Sequence, residues 1–528
     1  MFYFDLLYPS KEKRQQGMDG VKVGGNLIHD LQLEELVLDG TVSRIEYDIL
    51  CDEIEHLPSD REVIAFRQEI CKDLAENPSF IIGCMEFCSR LTDNVPRKRV
   101  SIWGACEPVH KILQEHISVL QQNYLTICSA NLKAEFRSDT LNRLVGFLGE
   151  DTYKVKLKEV IGLLEEVLDA GAVGYQVEYT CGQVMNRVEI QRLFPENYYM
   201  LKEKGVLKRK VVDGDYLISG EGNLILRNNM NEIYAKTVVK LCDLASRING
   251  AIVGAFQKMR QELTYYQAGI KLLDMYRRLG VPSCMPKIEV GRGCFLEFGQ
   301  LYPVGLLSKC GTDLEPGQPC GVQGNDYGSD RGKISIITGC NSGGKTTFLQ
   351  AIGSAQILMQ LGFFVPAGFY RASAAPYIGS LFANVEDIRT VHGKLEQELV
   401  DIREMAGHLR EGSMVLMNEI LSSTSEEEGA DIMGEVLGAF SHTHSHLLFV
   451  THLSRLAHLV QAGSLTLADG EHGVNYVAKQ GYEDGGIRKS YRIEPGDPER
   501  EILDKAIGKR SPLHTAGIVP DSMIGLIG

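Results

Sequence analysis

The sequence predicts an α plus α/β protein, in which a helical front half is followed by an α/β domain. Two observations carry this prediction. Between about residues 31 and 279, most segments place apolar side chains three and four positions apart, which is the spacing of one helix face. After about residue 284, short runs that are apolar throughout alternate with helical segments, as is typical of strands buried in a parallel sheet.

The predicted organisation has four parts, because a chain of 528 residues is too long for a single core. They are an N-terminal segment without usable periodicity, a helical core, the α/β domain and a C-terminal tail: residues 1–30, 31–283, 284–510 and 511–528.

Composition indicates a soluble protein of a reducing compartment. No run approaches the roughly 18 consecutive apolar residues of a membrane span, and the N-terminus does not have the charge order of a signal peptide. We therefore expect a cytoplasmic protein with no membrane partner. Thirteen cysteines without a CxxC pair favour free thiols. A net charge of −14 weighs weakly against nucleic-acid binding, although a local basic patch remains compatible with it.

The strongest helical pattern lies in the second part of the helical core. From Leu241 to Leu273, apolar residues repeat at alternating steps of three and four, and Gly280 and Pro282 then provide stop signals. Several shorter helices in a row are the alternative. The lack of an internal proline favours one helix of about 45 residues, which would be about 65–70 Å long.

A β-rich stretch interrupts the core at residues 192–226. Its β-branched residues and its Asp-Gly and Glu-Gly pairs predict one or two short hairpins. Basic residues cluster there, among them Lys208, Arg209 and Lys210. A solvated turn is the more common origin of such a cluster, and contact with DNA phosphates is the alternative.

Residues 339–347, GCNSGGKTT, have the pattern of a phosphate-binding loop between a strand and a helix. Backbone N–H groups of such a loop surround a phosphate, and the helix N-terminus adds partial positive charge. We expect Lys345 to bridge the β- and γ-phosphates of ATP and the Thr346 hydroxyl to bind Mg²⁺. The expected ATP-binding residues of the loop are Gly339, Cys340, Asn341, Ser342, Gly343, Gly344, Lys345, Thr346 and Thr347.

Two later strands end in candidate catalytic residues. MVLMNEI ends in Asn418 and Glu419, where P-loop enzymes place a metal-binding acid and a glutamate that polarises the attacking water. We expect this strand to lie beside the one that enters the phosphate loop. Asn418 offers only an amide oxygen to Mg²⁺, so we expect weak metal binding and slow hydrolysis. His452 follows the strand LLFV, where it can reach a γ-phosphate.

Three further histidines precede His452 in the segment SHTHSH. His442, His444 and His446 have the spacing of one strand face, but the segment reads as a loop. A metal site is therefore the less favoured interpretation of these histidines.

The ordered motifs resemble the ATPase domain of the MutS family, an ABC-class P-loop ATPase. TGCNSGGKTTFLQ, FVPA, SMVLMNEI, STSEEEG and VTHLSRL follow one another as in that family between about residues 286 and 500. The resemblance implies that the long helix acts as a lever and that Asn325, in GNDYG, lies on the nucleotide side of the site. It also implies a homo- or heterodimer formed through the ATPase domains, with ATP sites shared between subunits.

The sequence departs from the family pattern within the site. Cys340 and Ser342 occupy positions where proline and methionine are usual. In the signature segment, which in the family contacts the partner's γ-phosphate, Gly393 and Lys394 replace a Ser-Thr pair and Glu398 is retained. Lys394 could provide a charged contact in place of the lost hydroxyl, or the site could be degenerate.

Two classes of function remain open at this point. The family resemblance favours an ATP-gated dimeric clamp that binds DNA and is related to mismatch repair. No run comparable to the N-terminal Phe-x-Glu element of a mismatch-reading domain opens the chain, its net charge is negative and its ATPase residues are altered. These features favour an ATP-driven protein-remodelling factor that does not bind DNA, for example a reactivase of a cobalamin-dependent aminomutase.

Overall fold

The computed structural model describes most of the chain. The described residues are 5–18, 23–24, 26–94, 109–130, 132, 134–168, 170–179, 185–195, 224–290, 294–313, 320–328, 334–340, 343–383, 393–422, 424–468, 471–483 and 486–496. Within these ranges, no helix has both the length and the apolar character needed to cross a membrane.

Helices dominate the first half of the chain. In chain order they are α1 Lys11–Met18, α2 Leu27–Asp30, α3 Glu35–Leu38, α4 Arg44–Glu55, α5 Arg61–Glu76, α6 Pro78–Asp93, α7 Val109–Ser129, α8 Asp139–Gly149, α9 Thr152–Leu168, α10 Leu224–Arg278, α11 Val304–Asp313, α12 Lys345–Gln360, α13 Lys394–His408, α14 Glu426–Ser441 and α15 Ser454–Gln461.

Strands dominate after α10, apart from one early hairpin. They are β1 Ala170–Tyr179, β2 Met185–Pro195, β3 Lys287–Ile288, β4 Leu296–Leu301, β5 Asn325–Gly328, β6 Ile334–Gly339, β7 Phe369–Ala372, β8 Ile378–Phe382, β9 Met414–Asn418, β10 His446–Val450, β11 Gly473–Glu483 and β12 Gly486–Pro495. The predicted fold class, helices followed by an α/β domain, is confirmed.

The chain forms two compact units whose limits differ from the predicted domain limits. Among the described residues, one unit lies within 77–261, and the other lies within 5–76 together with 262–496. The segment 31–76, which we assigned to the helical core, therefore packs with the α/β part. Within the α/β unit, the side chain of Leu31 packs directly against Gly353 of α12, in the space that a larger residue there would fill. The N-terminal region around Leu31 therefore belongs to the α/β core.

The long helix α10 is longer than the sequence indicated. It has 55 residues and thus a contour of about 80 Å, because it begins at Leu224 rather than near residue 228. It ends as predicted, since Gly280 has a φ of 65° and the N–H of Val281 donates back to the carbonyl of Tyr276.

The early hairpin lies before most of the stretch predicted to contain hairpins. β1 pairs antiparallel with β2, so the hairpin overlaps residues 192–226 only at 192–195. Residues 224–226 are already helical. Lys208, Arg209 and Lys210 lie outside the described residues.

A six-stranded sheet forms the centre of the α/β unit, with the order β12-β11-β6-β10-β9-β8. Its strands are parallel except for β12, which is antiparallel to β11. The expectation that the strand ending in Asn418 neighbours the strand entering the phosphate loop is wrong. β10 lies between β6 and β9, because it pairs in parallel with both.

The two faces of this sheet carry different helices. Alternate side chains of β6, β9 and β10, such as Val415 and Met417, form a buried cluster with apolar residues of α13, α14 and α15. The opposite face packs on α12, where Leu416 lies against Gly353. Asn418 is on the α12 face, because it is two positions after Leu416 on the same strand.

Candidate functional site

The predicted phosphate-binding loop connects the central strand β6 to α12. All six residues of β6 are buried. Gly344 caps α12 with a φ of 90°, a conformation that suits glycine, and the N–H of Gly343 donates to the carbonyl of Cys340. Asn341 and Ser342 lie outside the described residues. The strand, loop and helix thus have the order that directs helix N-terminal N–H groups toward an anion.

Lys345 is folded back onto the loop. It is only 4% exposed, and its Nζ donates to the carbonyls of Gly339 at 2.9 Å and Cys340 at 3.1 Å. A buried ammonium group requires acceptors. Phosphate oxygens placed at the loop would be stronger acceptors than these neutral carbonyls, because they carry negative charge.

Thr346 and Asn418 bring two oxygen atoms together at the start of α12. The Thr346 hydroxyl donates to Oδ1 of Asn418 over 3.0 Å, although Asn418 is on β9, two strands away from β6. Mg²⁺ prefers hydroxyl, carbonyl and carboxylate oxygens. The pair therefore fits such an ion in donor type, with no negative charge of its own.

Glu419 and His452 form a second pair at the same edge of the sheet. Nε2 of His452 lies 2.8 Å from Oε1 of Glu419, and both side chains are partly exposed. Glu419 has a φ of 55°, and its N–H donates to the carbonyl of Val450 on β10. The left-handed backbone turns the glutamate out of the strand direction at the end of β9.

Glu398 contacts the loop that follows Glu419. Its Oε2 accepts a hydrogen bond from the N–H of Leu421 at 3.1 Å. Leu421 also has a positive φ, 59°, so two residues within three positions are left-handed. In this structure the carboxylate of Glu398 therefore stabilises the loop after β9 within the same chain.

Tyr491 lies against the phosphate loop and was not recognised from the sequence. Its Cδ1 is 3.4 Å from the position where a Cβ would stand on Gly344, and its side chain is 47% exposed. Asn325 fixes the backbone there. Its Nδ2 donates to the carbonyl of Tyr491, and its Oδ1 accepts from the N–H of Ile493. The φ of 55° at Tyr491 identifies an unusual position, but no sequence pattern marks it.

Two parts of the chain match described domain families. Residues 335–497 match MutS domain V, and residues 59–279 match the MutS2 N-terminal domain. The chain belongs to the MutS family. The first match contains the phosphate loop, the Thr346–Asn418 pair and the Glu419–His452 pair. The second match contains the helical unit and α10.

Individual MutS-family relatives cover part of the chain. MutS protein homolog 4 of Mus musculus is 28% identical over 195 residues, which are 37% of this chain and 20% of that protein. DNA mismatch repair protein MutS of Microcystis aeruginosa is 29% identical over 253 residues, 46% of this chain and 28% of that protein. The protein of the same name from Thermotoga maritima is 29% identical over 192 residues, which are 34% of this chain and 24% of that protein. The matched region thus spans 20 to 28% of the length of these relatives.

The remaining residues expected in the MutS-family site are on α12 and at the start of α13. Gly393 is the N-cap of α13 and Lys394 its first residue, and both are exposed. Thr347 lines a small cavity together with Gln350 of α12 and Val304 of α11. The roles of these residues toward a nucleotide stay predictions.

The histidine-rich segment has structural partners. His446 is buried, and its Nε2 lies 2.6 Å from the hydroxyl of Tyr327, while Nδ1 of His444 lies 2.8 Å from Glu471. Over the described part of the chain, no three His, Cys, Asp or Glu side chains are grouped so as to hold a metal ion.

Proposed function

We propose that this MutS-family chain binds ATP at the junction of β6 and α12, hydrolyses it slowly, and uses the nucleotide to gate a dimeric clamp on DNA. One observation carries the proposal. Three features lie together at the N-terminal end of α12: the loop that ends in left-handed Gly344, the buried Lys345, and the Thr346–Asn418 oxygen pair. Helix N-terminal N–H groups together with a lysine are suited to phosphate groups.

Each residue of the site has a proposed task. Lys345 exchanges its carbonyl acceptors for β- and γ-phosphate oxygens, and Thr346 and Asn418 hold Mg²⁺. The metal ion supplies positive charge beside the phosphate oxygens. Glu419 polarises the attacking water, while His452 orients the Glu419 carboxylate. Because Asn418 adds no negative charge, turnover is slow, and Asn418→Asp should increase both Mg²⁺ affinity and hydrolysis.

A second subunit is proposed to complete the site. Gly393 and Lys394 are exposed at the start of α13, and Leu399 and Val400 on the same helix are 38% and 47% exposed. Exposed apolar side chains next to a charged group are typical of a surface that a protein partner covers. We propose that this partner is a second copy of the chain or a related subunit.

DNA is the proposed substrate of the clamp because two of the relatives are named DNA mismatch repair proteins. The net charge of −14 favours the alternative, a remodelling factor with a protein client. ATP hydrolysis measured with duplex or branched DNA separates these functions. A clamp should be stimulated by DNA, and its binding should weaken steeply between about 50 and 200 mM salt.

A matched variant makes this experiment specific. Replacing Lys208, Arg209 and Lys210 by alanine should reduce the slope of DNA affinity against salt while the basal ATPase rate stays unchanged. If duplex and branched DNA neither bind nor change hydrolysis at low salt, the DNA clamp is refuted and the protein-remodelling function takes its place.

A further inference from the structure

We propose that Asp30, on the N-terminal segment, supplies the negative charge that Asn418 does not bring to the Mg²⁺ site. This inference rests on the proposed function, because it concerns how the Thr346–Asn418 pair holds the metal ion. Asp30 is separated from Asn418 by almost 400 positions in sequence, and it reaches the site only through the packing of α2 in the α/β unit.

Contacts with the sheet place Asp30 close to Asn418. Asp30 is the last residue of α2 and is 7% exposed, and its Oδ2 accepts a hydrogen bond from Ser380 of β8 at 2.6 Å. Ser380 pairs with Leu416, and Phe382 pairs with Asn418, in the parallel ladder between β8 and β9. Measured along the strands, the Asp30 carboxylate therefore lies about two residues, or about 6–7 Å, before Asn418, on the sheet face that packs on α12.

Contacts with α12 give the same position independently. The side chain of Gln350 donates to the backbone carbonyl of Asp30 at 2.9 Å. Gln350 follows Thr346 by one helical turn, about 5–6 Å. The next residue, Leu31, packs against Gly353, which is three residues farther along α12 than Gln350. Asp30 therefore occupies the gap between α12 and β8, on the side of Leu31 that is nearer to Thr346.

The electrostatic setting of Asp30 favours a nearby cation. Burial has the largest effect and holds the pKa of this carboxyl above its usual value, although the hydrogen bond from Ser380 and the neighbouring His29 lower it. A carboxylate in such a place is costly without positive charge nearby. Two opposite charges roughly 8–10 Å apart at an effective dielectric constant near 20 change a binding constant by about tenfold or more. Asp30 thus acts on the metal ion through space and is not a ligand.

The test measures the Mg²⁺ dependence with which a fluorescent, non-hydrolysable ATP analogue binds to the full chain. Asp30→Asn removes the charge and keeps the shape and an acceptor for Ser380. It should weaken Mg²⁺ affinity about tenfold, leave metal-free binding of the analogue unchanged, and be rescued by Asn418→Asp. Ser380→Ala, the matched control, removes the hydrogen bond and keeps the carboxyl group. Because that bond lowers the pKa of Asp30, the comparison is made at about pH 8, where the Mg²⁺ affinity of Ser380→Ala should stay within about threefold of wild type.

Each other outcome has a definite meaning. Equal Mg²⁺ dependence in wild type and Asp30→Asn, with the analogue bound to both, overturns this inference and leaves the proposed function intact. An Asp30→Asn protein that no longer folds also overturns it, because the carboxylate would then serve to pack α2. If the wild-type protein binds no analogue with or without Mg²⁺, the proposed function itself is refuted.

Discussion

Nε2 of His452 lies 2.8 Å from Oε1 of Glu419, at the ends of the neighbouring strands β10 and β9. The backbone supports the same contact, since the N–H of Glu419 donates to the carbonyl of Val450 over 2.8 Å. The glutamate is therefore fixed by a side chain and by the backbone of one strand. In the proposed function, where Glu419 polarises the attacking water, this geometry makes His452 its positioning partner.

The first prediction concerns this pair. Glu419→Gln keeps a side chain of the same size but removes the base, so single-turnover ATP hydrolysis should fall about 100-fold or more, with ATP affinity unchanged. His452→Ala should lower the rate less, because the carboxylate remains but is no longer oriented. A Glu419→Gln protein that hydrolyses ATP at the wild-type rate would exclude Glu419 as the base.

The second prediction concerns the contact between Glu398 and the N–H of Leu421. Glu398→Ala should lower kcat about tenfold with little change in KM, because the left-handed loop after Glu419 loses its acceptor. Glu398→Gln retains a carbonyl oxygen at that place and should recover most of the rate. If instead both variants raise KM equally, Glu398 acts on the partner's nucleotide, as the family resemblance implies.

The third prediction concerns Tyr491, whose exposed ring lies against Gly344. We expect this ring to stack on the base of a bound nucleotide, a contact that contributes about 1–3 kcal/mol. Tyr491→Ala should therefore weaken ATP binding about tenfold, whereas Tyr491→Phe should have almost no effect. Calorimetric titration of the two variants is the measurement. Equal affinities of Tyr491→Ala and wild type would place the base elsewhere.

The fourth prediction concerns the anchor between α10 and the end of α12. The hydroxyl of Tyr265 donates to the carbonyl of Leu361, which follows α12, and accepts from the buried Arg67 at 3.2 Å. Tyr265→Phe removes one hydrogen-bond partner from the Leu361 carbonyl and one from the Arg67 guanidinium. The free energy of unfolding should therefore fall by about 1–3 kcal/mol.

A matched control is available on the same helix. The hydroxyl of Tyr276 is buried and has no hydrogen-bond partner among the residues that the structure describes. Tyr276→Phe should therefore be neutral or slightly stabilising in urea or thermal unfolding. A loss of stability in Tyr276→Phe as large as that in Tyr265→Phe would show that the Leu361 contact is not the cause.

Local patterns predicted the parts of the fold that local physics determines. Residues 334–360 combine an apolar strand, a glycine loop and a helix, so strand, loop and helix were all found in order. The helical periodicity before Gly280 likewise predicted one continuous helix. Thr346, Asn418, Glu419 and His452 were assigned to one site from residue types at strand ends. The Glu419–His452 contact and the position of β10 between β6 and β9 were not predicted.

Contacts between distant segments could not be predicted from these patterns. Asp30 lies in a segment without usable periodicity, and only its contacts with Ser380 and Gln350 in the folded chain suggest its proposed relation to the site. Tyr491 is one aromatic residue in a strand, and its position depends on Asn325, which is 166 residues earlier. The hairpin β1–β2 was not predicted, because the clearest turn signals lie in the stretch 192–226 that follows it, and residues 196–223 of that stretch are outside the described residues.

Equilibrium binding of ATP to the wild-type protein and to Lys345→Ala tests the phosphate loop most directly. Since Lys345 lies at the start of α12 and donates to the neutral carbonyls of Gly339 and Cys340, where phosphate oxygens would be stronger acceptors, its removal should weaken ATP binding at least about tenfold without loss of folding. Lys345→Arg, which keeps the charge but not the shape, should bind at an intermediate level. A folded wild-type protein that binds no ATP, alone or with a partner subunit, would contradict the assignment of residues 339–346 as a nucleotide site.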